Sequence, residues 1–145
     1  MKLLLRAHPP FQQTFWTPSP RAGKLAKAIV SAGGLEAAQL GIRLALGDSP
    51  NIKTLLEQYS LRPANVSGLA IEAEGREEVE ALLRASFRDS TDFLFIPQPK
   101  PFVVYADHDE CTTFYSHTRS NLNLAVQAVA REGFKAVEGF ARTHY

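Results

Sequence analysis

Five side chains with useful chemistry stand in a row in the second half of the chain: Asp107, His108, Asp109, Glu110 and Cys111. Carboxylates and imidazole are suitable ligands for a divalent metal ion, and three acids within four residues attract cations. Neighbouring side chains at the tip of a hairpin diverge, so a metal site here would need further ligands from elsewhere in the fold. We therefore interpret Asp107 to Glu110, which we call the acid turn, as a polar turn in which Asp107 hydrogen-bonds the backbone.

Catalysis at the acid turn is the enzymatic alternative. Its four side chains would suit a metal-dependent or acid–base hydrolase, whereas Cys111 is a poor nucleophile there because nearby carboxylates disfavour the reactive thiolate. The sequence has no phosphate-binding glycine loop, serine-hydrolase elbow, zinc-protease helix or paired-cysteine motif. We therefore expect no cofactor, and we expect Cys111 to be a small packed residue.

A second group of candidate residues depends on how two predicted strands pair. If Ala106 pairs with Cys111 across a four-residue loop, the same antiparallel register sets Lys100 opposite His117. At about 3.3 Å per residue, His117 then lies about 23 Å along the strand from Glu110. The two ends of this hairpin therefore carry separate groups, one acidic and one cationic.

The cationic end of the hairpin is the best candidate binding site in the sequence. Arg119 follows the strand, and Ser120 is expected to cap a helix whose first N–H groups and dipole favour an anion. The predicted anion site consists of Lys100, His117, Arg119, Ser120 and Asn121. Its ligand would be a phosphate or a carboxylate. The simpler alternative is an ordinary helix cap with exposed basic neighbours.

The elements that position these residues follow from the periodicity of the second half of the chain. It predicts strands over 67–73, 93–96, 102–106, 111–116 and 134–140, and helices over 74–87 and 120–132. The resulting β-α-β-β-β-α-β order is close to a ferredoxin-like arrangement with one additional strand. We therefore predict an α+β fold in which an antiparallel sheet carries its helices on one face. Its second face also has an apolar row, which either the N-terminal helices or a second copy must cover.

The first half of the chain predicts an extended arm followed by a small helical unit. Residues 1–20 contain four prolines and three aromatic residues, a mixture that disfavours helix and offers apolar surface. This arm either folds over its own core or docks on a second subunit. Apolar spacing then predicts helices over 21–32, 35–46 and 48–62. The predicted organisation is an arm (1–20), a helical unit (21–64) and a sheet unit (65–145), the last two in one compact domain.

Length and composition place the chain among globular domains. It has 145 residues, of which 45% are hydrophobic and 21% charged, and this is enough to bury a core without metals or disulfides. No apolar run reaches the roughly 18 residues of a membrane helix. The apolar stretch after Met1 and Lys2 is too short for a secretory signal. We therefore expect a cytoplasmic protein that does not enter the membrane.

Charge is unevenly distributed along the chain. Residues 1–65 have eight Lys or Arg and three acids, a net charge of +5, while residues 66–145 have eight against twelve, a net charge of −4. This density is too low for a dedicated nucleic-acid binder, although Arg21, Lys24 and Lys27 share one helix face. We do not expect nucleic acid as a partner, and we keep weak binding to it as the last alternative.

These patterns together favour a non-enzymatic binding or assembly module. Surplus apolar surface and the opposite charges of the two halves predict a homo-oligomer. The cationic end of the hairpin predicts that the partner is a small anion or a protein. The hydrolase at the acid turn and the weak nucleic-acid binder remain as alternatives.

Overall fold

The structure is a computed structural model that describes residues 11–34, 37–42, 50–51, 54, 62–63, 69–89, 92–98, 102–106 and 109–140. Its strands are β1 (Phe11–Trp16), β2 (Ala37–Ile42), β3 (Arg62–Pro63), β4 (Leu69–Glu74), β5 (Phe93–Gln98), β6 (Val103–Ala106), β7 (Cys111–Ser116) and β8 (Lys135–Ala136). Its helices are α1 (Ala22–Gly33), α2 (Arg76–Asp89) and α3 (Arg119–Arg131). The prediction of an α+β fold with an antiparallel sheet is confirmed.

One sheet joins the eight described strands in the order β3-β4-β2-β5-β6-β7-β1-β8. Strand β1 comes from the segment predicted to be an arm. It lies between β7 and β8, and it pairs with β7 from Phe11 opposite Ser116 to Trp16 opposite Cys111. Phe15 is buried in the core of the same chain, while 51% of Trp16 is exposed. The outermost described strands, β3 and β8, have two residues each.

The helix predicted over residues 35–46 is wrong, because Ala37–Ile42 form strand β2. This strand pairs along its whole length with β4 on one side and β5 on the other. Two complete ladders of backbone hydrogen bonds outweigh the weak helical spacing of a segment that contains a glycine. A strand therefore interrupts the predicted helical unit. Helix α1 is confirmed, Pro50, Asn51 and Thr54 are helical, and the rest of the third predicted helix lies outside the described residues.

Helices α1, α2 and α3 pack side by side on one face of the sheet, with α1 between the other two. Their inward residues are apolar at helical spacing, as with Leu25 and Ile29 of α1. They meet alternate residues of the strands, among them Phe15, Phe95 and Phe114, each no more than 1% exposed. Phe15 and Phe114 pack edge to face with ring centroids 6.0 Å apart. This apolar core fixes the helices to the sheet.

The second face of the sheet carries the other set of alternating side chains. Leu94, Tyr105 and Tyr115 form a separate cluster there and are buried within a single copy of the chain. Thr14 and Thr113 on the same face are fully buried, and their hydroxyl oxygens are 2.7 Å apart in a hydrogen bond. Burial of this apolar row therefore does not require a second copy.

The pairing of β6 with β7 differs by one residue from the predicted register. Ala106 lies opposite Thr112 instead of Cys111, and Val104 lies opposite Phe114. The connection between the paired positions is thus five residues long rather than four. A slip of one residue exchanges side chains between the faces of a strand. Val104 and Phe114 therefore share the helix face, whereas the predicted register put them on opposite faces.

Helices α2 and α3 each connect two strands that lie on either side of a third strand. Helix α2 joins β4 to β5, which flank β2, and α3 joins β7 to β8, which flank β1. Four antiparallel pairings separate β4 from β7, so these two strands run in the same direction. Because α2 follows β4 and α3 follows β7, both helices begin at the same end of the sheet, which we call the helix-start end.

Candidate functional site

The start of α3 is capped by Thr118, two residues before the predicted cap. The Thr118 hydroxyl accepts a hydrogen bond from the Asn121 N–H at 3.1 Å, and its carbonyl accepts one from the Leu122 N–H at 3.1 Å. Thr118 donates its own N–H to the Ser116 hydroxyl at 3.2 Å. The cap therefore uses backbone groups that were predicted to face an anion, and Ser120 lies inside the first turn.

Arg119 is held at the start of α3 by an aromatic ring from β1. Its guanidinium carbon lies 4.8 Å from the centroid of the Phe11 ring. This cation–π contact fixes one side of the guanidinium while the residue remains exposed. The first turn of α3 contains no acidic residue that would neutralise the charge. Arg119 is therefore a positioned cation at a helix N-terminus, where the helix dipole also favours an anion.

Three of the five residues predicted for the anion site meet at this position. His117, Arg119 and Ser120 are exposed at the start of α3, and we call them the basic start. Asn121 is half-buried and its N–H belongs to the cap. Lys100 lies outside the described residues, and the register that set it opposite His117 is wrong by one residue.

The acid turn lies at the other end of β7. Asp107 and His108 are outside the described residues, and Asp109 and Glu110 are exposed. Asp109 Oδ1 accepts a hydrogen bond from the Cys111 N–H at 3.0 Å. Asp109 thus has the turn-stabilising role that was predicted for Asp107.

Hydrogen bonds to Glu110 connect the acid turn to Thr17, the residue after β1. The Glu110 carbonyl accepts the Thr17 N–H at 2.7 Å and the Thr17 hydroxyl at 3.2 Å. Its φ of 61° is in the left-handed region, which a residue with a side chain adopts at a cost. Within the part of the chain that the structure describes, no three His, Cys, Asp or Glu side chains are grouped so that they could hold a metal ion.

Sequence reasoning missed a cavity on the second face of the sheet, at the helix-start end. At its floor is Ala37 of β2, whose cross-strand neighbours are Glu74 on β4 and Gln98 on β5. Glu72 and Ile96, which are the cross-strand partners of Gln39, also line it. Ala37 is small beside Glu74 and Gln98, and the half-open space has a volume of about 280 Å³. One wall presents carboxylates and the other presents an amide and an aliphatic group, and we call this space the acidic cavity.

Only one residue of the carboxylate wall was placed correctly from the sequence. Glu72 falls in the strand predicted over 67–73, but Glu74 was assigned to the following helix, whereas β4 extends to Glu74 and the two side chains share one of its faces. The position of the small residue Ala37 next to Glu74 could not be predicted, because Ala37 was assigned to a helix. Its neighbours on either side became known only from the strand order.

Charge at the helix-start end is divided between the two helices. The first turn of α2 contains Glu77 and Glu78, and the Glu78 carboxylate accepts the Glu74 N–H at 3.0 Å beside the acidic cavity. Each of the two helices begins with an arginine, Arg76 in α2 and Arg119 in α3, and only α2 has glutamates in its first turn. Four strand spacings of about 4.8 Å separate β4 from β7 by about 19 Å. At one end of the sheet, the start of α2 therefore carries more negative than positive charge, and the start of α3 carries a positive charge alone.

Comparisons with known proteins return no match: no protein-family model, no curated protein and no solved structure is similar to this chain. In the described ranges, no helix is long and apolar enough to cross a membrane. The function is therefore argued from the geometry of the basic start and the acidic cavity.

Proposed function

We propose that this protein is a non-enzymatic binding module that takes up an anionic group at the basic start of α3. The observation that carries this proposal is the contact of Arg119 with the Phe11 ring, at a centroid distance of 4.8 Å. A guanidinium that is already oriented loses less side-chain freedom when it binds than one that moves freely in water. The contact therefore favours Arg119 as the group that meets the ligand.

The chemistry of the basic start fits a carboxylate or a phosphate. Guanidinium N–H groups match the two oxygens of such an anion in a bidentate hydrogen bond. The N–H of Ser120, in the first turn of α3, adds a donor at the positive end of the helix dipole, and the imidazole of His117 adds a ring N–H donor. All three residues are exposed, so the interaction should weaken as salt increases.

We further propose that the fold consists of two ferredoxin-like β-α-β-β-α-β units, one inserted into the other. The outer unit is β1, α1, β6, β7, α3 and β8, and the inner unit is β2, the helical residues Pro50, Asn51 and Thr54, β3, β4, α2 and β5. In support, the first strand of each unit lies between its third and fourth strands. Helices α3 and α2 are then equivalent, so that Arg119 corresponds to Arg76, and the glutamates in the first turn of α2 have no counterpart in α3.

A thermal-unfolding series with added phosphate tests the binding proposal. At a phosphate concentration ten times the Kd, binding should stabilise the protein by about 1.4 kcal/mol, or raise the midpoint by about 3–5 °C. Arg119→Ala should abolish the part of the shift that sodium chloride suppresses. Lys27→Ala, which removes an exposed cation from α1, is the matched control and should retain it. Equal shifts in both variants would exclude the basic start as the binding site.

A further inference from the structure

Two surfaces of opposite charge lie at the helix-start end of this sheet. One is the basic start, with Arg119 held against Phe11. The other is the acidic cavity, where Glu72 and Glu74 form one wall of a space of about 280 Å³. Both glutamates are exposed. The strands that carry them are separated by about 19 Å across the sheet. The acidic cavity opens on the second face, whereas Arg119 and Phe11 lie on the helix face, so the two surfaces share an end of the sheet and not a face.

We propose that a second copy of this chain supplies the anionic group, with Arg119 of each copy seated in the acidic cavity of the other. This inference rests on the proposed function, because Arg119 is the anion-binding group in both. The occupant is identified by charge complementarity, chiefly with Glu74, because Glu72 has the cation Arg62 as its cross-strand partner. The chain presents a cation, already oriented, at the same end of its own sheet.

The contact is compatible with two-fold symmetry. A two-fold axis that passes through the helix-start end, between the acidic cavity and the basic start, exchanges the two surfaces. Each copy then contributes one arginine and one cavity, so two equal contacts form together. A single exposed ion pair is weak, and the paired arrangement strengthens the complex because the second contact forms within an already associated pair.

The lining of the acidic cavity suits an arginine side chain along its length. Ala37 and Ile96 offer aliphatic surface to the methylene stem, as is usual for long basic side chains. The carboxylates of Glu72 and Glu74 offer acceptors to the guanidinium N–H groups. The Gln98 amide on the opposite wall supplies a further oxygen acceptor. The volume matches one side chain rather than a nucleotide-sized ligand.

A charge-exchange experiment tests this dimer. The first variant is Arg119→Glu. The second is Glu72→Gln with Glu74→Lys, in which glutamine avoids a second cation opposite Arg62, the cross-strand partner of residue 72. Light scattering at low salt should give the mass of two chains for the wild type and of one chain, 16.0 kDa, for each variant alone. An equimolar mixture of the variants should recover the mass of two chains, because the carboxylate introduced at position 119 of one variant then meets the ammonium group introduced at position 74 of the other.

Lys27→Glu is the control for the change of net charge and should remain dimeric, since Lys27 is exposed on α1. A wild type that stays at the mass of one chain at low salt, or a mixture that does not associate, would overturn the inference. Circular dichroism of each variant confirms that it is folded. Phosphate stabilisation that depends on Arg119 in a protein of one-chain mass would leave the proposed function intact and reject only the dimer.

Discussion

The hydrogen-bonded pair Thr14 and Thr113 gives a direct test of the packing on the second face of the sheet. Both residues are fully buried, and their hydroxyl oxygens are 2.7 Å apart. Thr113→Val keeps the shape of the side chain but removes the hydrogen-bond partner of the Thr14 hydroxyl. That hydroxyl then remains buried without this hydrogen bond. Losing the partner of a buried hydroxyl costs about 1–3 kcal/mol. In a domain of this size, that lowers the midpoint of thermal unfolding by about 3–9 °C.

Adding Thr14→Val to this variant removes the stranded hydroxyl and should recover about 1 kcal/mol. The second substitution is therefore expected to stabilise a protein that the first one destabilised. Urea unfolding measures both effects as shifts of the midpoint at constant slope. The exposed Thr54→Val is the control and should change stability by less than about 0.5 kcal/mol. The reasoning is refuted if the double variant is less stable than Thr113→Val alone.

Three further substitutions test single contacts. Glu110→Gly should stabilise the protein by up to about 1 kcal/mol in thermal unfolding, since glycine adopts a positive φ without strain; a lower midpoint would contradict the strain. Thr118→Ala removes the α3 cap and should lower the free energy of unfolding, measured in urea, by about 1 kcal/mol. Hydrogen exchange at the Asn121 amide should become faster, because that N–H loses its acceptor. Arg21→Ala removes a guanidinium that lies 4.1 Å from the centroid of the Phe134 ring and donates to the carbonyls of Glu132 and Gly133, directly after α3. It should cost about 1–2 kcal/mol, whereas the exposed Lys24→Ala should change little.

Regular periodicity made much of the second half of the chain predictable. The residues from Cys111 to Ser116 predict a strand with those ends, and β7 has them. Helix α3 follows its predicted apolar spacing, and its cap lies two residues earlier than predicted, at Thr118 rather than Ser120. The error of one residue in the predicted pairing of β6 with β7 has a local cause. The turn ends at the positive φ of Glu110, and the next residue pairs with β1 instead of β6.

Pairing between distant segments made the first half difficult to predict. Strands β1 and β2 each lie between two partners that come from later in the chain, so their conformation depends on a sheet that local spacing does not reveal. The acidic cavity has the same origin. It needs Ala37 beside Glu74 and Gln98, three residues brought together only by strand order. The basic start, in contrast, consists of neighbours in sequence and was predicted in part.

The two short outer strands bear on how large an assembly of this chain can grow. Among the described strands, one edge of the sheet is Arg62–Pro63 and the other is Lys135–Ala136. Proline offers no N–H to an incoming strand, and lysine brings a charge. Both features disfavour the pairing of a sheet edge with a strand from another chain. Chains are therefore hindered from joining edge to edge into an open-ended fibre. The proposed contact through the end of the sheet, in which both charged surfaces of each copy take part, would close on itself instead, and growth would stop at two chains.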